Sequence, residues 1–136
     1  MIVAGVIAFV AVLMLVFSAV TRATAASARR KIDARFPADS IVFSDDLANF
    51  FGRTSKGVLQ LRGNGGLVLT RDALWFLPIV GEEMSFPLAE ITKVSTVKSH
   101  LGKTVGRPLL KVEWAEDSVA FFVRDVNAWL QQLAKP

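Results

Sequence analysis

The chain has 136 residues, room for one domain and an appendage, with 52% apolar types and a mean hydropathy of +0.44. That is too polar for a multi-span membrane protein. The formal charge of +4 sits in one place: residues 21–35 hold Arg22, Arg29, Arg30, Lys31 and Arg35 against Asp33, whereas residues 36–136 balance 11 cations with 11 acids. A nucleic-acid-binding domain would carry its basic residues on the folded surface, so no nucleic-acid partner is expected. The lack of cysteine removes disulfides, thiolate metal sites and cysteine nucleophiles.

Residues 2–20 form an uncharged run in which only Gly5 and Ser18 are not apolar. At 1.5 Å per residue a helix of that length spans about 28 Å, close to the ~30 Å hydrocarbon core of a bilayer. No polar face interrupts it, so the expectation is a membrane-spanning helix. A cleaved signal peptide is the competing reading, favoured by the A-x-A pattern Ala23-Thr24-Ala25. The run is longer than a signal h-region, no basic residue precedes it, and Arg22 sits just before the supposed cleavage site. An uncleaved single span is therefore preferred. Because the basic collar follows the span, the positive-inside rule places the C-terminal domain in the cytoplasm, on the inner face of the cell (plasma) membrane, and the N-terminus outside. The collar residues Arg22, Arg29, Arg30, Lys31 and Arg35 are expected to lie against anionic headgroups.

Residues 21–36 are rich in alanine and arginine and read as a helical stalk continuous with the span. Pro37 restricts Phe36, so the stop falls near Arg35 or Phe36. The domain then occupies residues 37–136. Ser44-Asp45-Asp46-Leu47 reads as a helix start, with Leu47, Phe50 and Phe51 on one face and Gly52 past its end. Residues 53–57 read as a loop.

From there the period changes to two. Seven short strands are expected at Val58–Arg62, Gly66–Thr70, Ala73–Pro78, Met84–Leu88, Ile91–Val97, Leu109–Trp114 and Ser118–Val123. Gly63-Asn64-Gly65-Gly66 supplies a hairpin turn between the first two. Asp125 is an N-cap, and Val126, Trp129, Leu130 and Leu133 form one apolar stripe on a C-terminal helix. Trp75, Trp114, Trp129 and the ten phenylalanines are expected to fill the core.

Seven antiparallel strands closed by such a helix form the arrangement of the pleckstrin-homology (PH) superfold, a barrel or sandwich. Residues Gly66 to Phe76 (GLVLTRDALWF) resemble the G-x-L-x-L-T-x-x-x-L-x-F hairpin of GRAM and bacterial PH-like domains, and Phe86 to Val94 (FPLAEITKV) is similar to their I-P-L-x-x-I-x-x-V segment. The whole resembles small bacterial proteins with one N-terminal span and a cytoplasmic PH-like domain. The resemblance implies a binding module for phosphorylated headgroups or protein segments, without catalytic activity. The positions corresponding to the headgroup site are Lys56 and Arg62, around a loop that itself carries no charge.

Charge points elsewhere. The segment from Lys98 to Pro108, with Lys111, carries Lys98, His100, Lys103, Arg107 and Lys111 and no acid. Its glycines expose backbone N–H groups, and Arg107 can grip a phosphate with two hydrogen bonds, making this the candidate site for an anionic lipid or a protein partner. Gly102-Lys103-Thr104 is not a P-loop, because position 97 is Val97. One histidine and no cysteine support neither a metal site nor a catalytic one, and no cofactor is expected. Asp45-Asp46 suits a helix N-terminus and Glu82-Glu83 a solvated turn. The function expected is a membrane-anchored recruitment module; the alternative is a structural subunit of a larger membrane assembly.

Overall fold

The computed structural model describes residues 1–57, 60 and 62–134. Its first element, α1, is one unbroken helix, Ile2–Arg35. Phe36 turns the chain out of it in extended conformation (φ −124°, ψ 134°), its N–H still donating to the Ile32 carbonyl at 2.9 Å. The stop falls where Pro37 requires it. The first two turns-worth of side chains and all those up to Val20 are exposed, and the helix is long and apolar enough to cross a membrane.

Seven strands follow: β1 Phe43–Arg53, β2 Gly63–Leu69, β3 Ala73–Pro78, β4 Met84–Pro87, β5 Ile91–Val97, β6 Leu109–Trp114 and β7 Asp117–Phe122. They form one antiparallel sheet in the order β4-β3-β2-β1-β7-β6-β5. A second helix, α2, spans Val126–Ala134, with Asp125 Oδ1 accepting from the Ala128 N–H at 3.0 Å as an N-cap.

The sheet folds over on itself without closing. Phe86 of β4 lies 5.1 Å from Trp114 of β6 and 6.2 Å from Phe121 of β7, although these strands are far apart in the sheet order. One core cluster thus draws Leu67, Leu74, Phe76, Phe86, Val112 and Phe121 from both halves, and Trp129 of α2 plugs one end against Phe43 at 4.7 Å. The edges β4 and β5 do not pair, so the expected barrel is an open, folded sheet.

Two further expectations are corrected. The helix at residues 44–51 is strand β1. The spacing of Leu47, Phe50 and Phe51 mimics a helical face, but Phe50 packs into the main core and Phe51 into a second cluster with Leu109 and Ala120. Adjacent aromatics on opposite faces are a strand's signature. The capping signal acts locally all the same: Asp45 Oδ1 accepts from the Leu47 N–H at 2.8 Å, where the β1–β2 register shifts between Asp45 and Ala48. It shapes a bulge. The expected first strand at 58–62 falls partly on residues 58, 59 and 61, outside the described residues.

The glycine-rich hairpin turn is the other correction. Gly63 to Gly66 lie in β2, where Asn49 Nδ2 donates to Asn64 Oδ1 at 2.6 Å. The glycines serve close approach. A Cβ on Gly65 would press on the Leu77 carbonyl and the Pro78 Cα, and one on Gly66 would lie 2.6 Å from Ile32 Cδ1. The C-terminal half of α1 packs along β2 from that point. Ile32 and Phe36 bury themselves with Val68 and Leu77, and Phe36 meets Trp75 edge-on at 5.4 Å. Five successive residues of β2, Gly65–Leu69, are buried because the core covers one face and α1 the other.

Candidate functional site

The basic loop between β5 and β6 folds down on the sheet. His100 and Lys103 exchange backbone hydrogen bonds (2.9 and 3.0 Å) around Leu101 (φ 52°) and Gly102 (φ 75°), a two-residue turn with both central residues left-handed. His100 is buried, its Nε2–H donating to the Gly52 carbonyl at 2.9 Å. Burial lowers its pKa below the ordinary 6.5; the Gly52 hydrogen bond opposes this, while Lys111 and Lys103 lower it further. Beneath the loop lies the outer cluster of Phe51, Leu109 and Ala120, with the Arg62 guanidinium 4.1 Å over the Phe51 ring.

The five candidate residues are therefore differently employed. His100 faces inward as a strut, and Lys111 is half-buried on β6, 3.9 Å from Glu113. Lys103 flanks the histidine in the turn. Lys98 and Arg107 are exposed, and the Lys98 carbonyl accepts from Thr104 Oγ1 at 2.8 Å, which fixes the loop's base.

The collar is divided as well. Arg29 bonds Ser44 Oγ at 3.1 Å and Asp46 Oδ2 at 3.4 Å. Lys31 Nζ donates to the carbonyls of Pro78 and Ile79. Arg35 grips both carboxylate oxygens of Glu83 at 3.0–3.2 Å and lies 5.0 Å over Trp75. Glu83, expected in a solvated turn, is thus a clamp residue. Arg22 and Arg30 stay exposed. Three of the five cations hold α1 to the domain, and two face outward.

Asp45 and Asp46 complete that clamp. Asp45, 3% exposed, accepts from the Arg124 N–H at 2.8 Å and from its Nε at 2.9 Å, and Asp46 Oδ1 accepts from Arg124 Nη2 at 2.6 Å. Asp46 bridges Arg29 of α1 and Arg124, just ahead of α2. A second latch joins β1 to β7. Asp117 accepts from the Ser55 N–H and Oγ (2.9 and 2.7 Å) and pairs with Arg53 at 3.3 Å; desolvation raises its pKa, but these partners outweigh it and the net shift is downward. Arg53 also lies 5.1 Å over the Trp114 ring beside a cavity of about 110 Å³. Its charge is committed to Asp117.

One large concavity was not legible in the sequence. A cleft of about 620 Å³ opens at the end of the sheet away from α2, lined by Thr24 of α1, Phe50, Phe76, Ile79, Val80 and Met84, with Arg62 and Asn64 also lining it. It takes one residue from the resemblance's headgroup positions, Arg62; Lys56 lies in the short helical turn Thr54–Lys56. Nothing local marks the cleft, because α1, β1, β2, β3, β4 and the β3–β4 turn all contribute to its lining. Among the described residues no group of three or more His, Asp or Glu is placed to hold a metal.

No family model matches the chain, and no curated protein matches it. Among solved structures the chain is similar to the C-terminal domain of an unknown protein from Leishmania infantum, at 16% identity and a TM-score of 0.51, covering 70% of this chain and 84% of that one. The likeness is one of fold.

Proposed function

We propose that the chain is a single-pass, membrane-anchored binding module of PH-like type, with its domain on the cytoplasmic face of the plasma membrane and no catalytic role. One observation carries the reading: a single helix is both the long apolar segment and, at Ala28 and Ile32, part of the domain's packing. A docked tether holds one end of the domain toward the apolar segment, and that this end carries the cleft supports the reading. The strand order and the α2 plug support the PH-like assignment, and the positive-inside asymmetry supports the orientation.

Ser99 is exposed, and the chain has no cysteine of its own. In intact cells Ser99→Cys should resist a membrane-impermeant maleimide and react in inverted vesicles; reaction in intact cells reverses the orientation. A photo-crosslinker at Asn64, beside the cleft, should capture one discrete lipid or protein species from native membranes. One at Arg71, in the turn past the opposite end of β2, should not. The same diffuse products from both positions remove the binding-module reading.

A further inference from the structure

We infer that the β3–β4 turn is itself a membrane-contacting element, seated by the docked helix in the interfacial layer with Val80 among the lipid headgroups and upper acyl carbons. The inference rests on the reading of α1 as a membrane span. The apolar run ends at Val20, and Thr24, one turn further, shares the wall of the cleft with Ile79 and Val80. At the helical rise that turn lies about 6 Å beyond the hydrocarbon, within the roughly 5–8 Å depth of one headgroup layer.

Direction agrees with height. The contacts of α1 progress from Gly66 opposite Ala28 and Ile32 to Trp75 opposite Phe36, so the helix runs along β2 with its membrane end toward Asn64 and Ile79. The turn is held on both arms. Lys31 binds the carbonyls of Pro78 and Ile79 on one side, and Arg35 grips Glu83 on the other. It cannot swing clear without breaking the clamp.

Chemistry agrees too. Val80 is 89% exposed, against 54% for Val42 and 38% for Val105, the other large exposed apolar residues beyond residue 20 among those described. A bare valine at a turn's apex is an unfavourable surface in water and a fitting one in lipid. Arg62 lines the adjoining cleft and Arg22 is exposed on α1; both suit lipid phosphate. Glu82 is the acid in the same lining and is exposed.

Single cysteines at Val80, Arg71 and Leu13 of the full chain, each carrying an environment-sensitive fluorophore, test this in phosphatidylcholine–phosphatidylglycerol nanodiscs. The quencher is a nitroxide on an upper acyl carbon. All three side chains are exposed, so the labels leave the packing intact. The expected result is strong quenching at positions 13 and 80 and several-fold weaker quenching at 71, roughly 20 Å away along β2. Quenching at 13 with equal, weak signals at 80 and 71 overturns the turn's role and leaves the span standing. No quenching at 13 overturns the span, and the inference with it.

Discussion

Two side chains near the middle of the chain show how a residue's neighbours decide its role. His100 packs its ring under the loop and gives its Nε2–H to Gly52, with Lys103 and Lys111 adding positive charge nearby. Its pKa is lowered on folding, so the unfolded chain binds the proton first as pH falls. The stabilisation is complete above the ordinary value of 6.5 and is lost as pH drops from there toward the lower folded pKa. Thermal unfolding of the detergent-solubilised chain, followed by its tryptophans, should show a midpoint that declines below pH 6.5. His100→Gln should flatten that decline; an unchanged slope would show that other groups govern it. Asp45 is the second case. It satisfies two backbone N–H groups, of Leu47 and Arg124, besides the Arg124 guanidinium. Asp45→Ala should cost about 2–3 kcal/mol, because buried donors lose their acceptor. Arg124→Ala should cost no more than about 1 kcal/mol, since its side chain is 55% exposed. Equal losses from the two would mean that the ion pair, and not the backbone caps, holds the bulge.

At the scale of elements, the helix–sheet contact is the interaction on which the molecule's geometry turns. Ile32 is fully buried where Gly66 lets the helix approach, and Phe36 and Trp75 extend the contact toward the helix end. Burying an aliphatic or aromatic side chain contributes about 1.5–3 kcal/mol each, which makes this interface stronger than its exposed ion pairs. Ile32→Asp should therefore release the C-terminal half of α1 while leaving the core around Phe76 and Trp129 folded. The measurement is limited proteolysis between residues 21 and 37, together with a red shift of Trp75 emission. A variant as resistant as the wild type would show that the clamp of Arg29, Lys31 and Arg35 suffices alone.

For the molecule as a whole, the packing on β2 reaches back before Pro37, to Ile32 and Phe36. A fragment of residues 37–136 would expose Val68, Leu77 and Trp75 to water, whereas a fragment of residues 21–136 keeps them covered. The shorter fragment should be less stable by about 3–6 kcal/mol, the burial of Ile32 and Phe36 combined, and should aggregate where the longer one does not. Differential scanning calorimetry and light scattering of the two check this. Equal melting temperatures would mean that the helix rests on the sheet without stabilising it.

Those properties divide according to how far their causes reach along the chain. The sequence alone determined the apolar helix, its end just before Pro37, strands β3, β5 and β6, and the Asp125-capped α2, because each is set by patterning and by cap and turn residues within a few positions. It determined, too, that the cationic excess lies in residues 21–35. Only the tertiary structure decided that β1 is a strand, since the spacing of Leu47, Phe50 and Phe51 satisfies a helix face equally well until two separate clusters claim Phe50 and Phe51. The same holds for the glycines at 65 and 66, which read as a turn until Leu77 and Ile32 arrive from elsewhere in the chain. The collar shows the difference most plainly. Arg29, Lys31 and Arg35 look like membrane-facing charges in one dimension, and their partners Asp46, Pro78, Ile79 and Glu83 lie 17 to 48 residues away. Local chemistry proposes what such a side chain can bind, and the fold chooses which partner reaches it first.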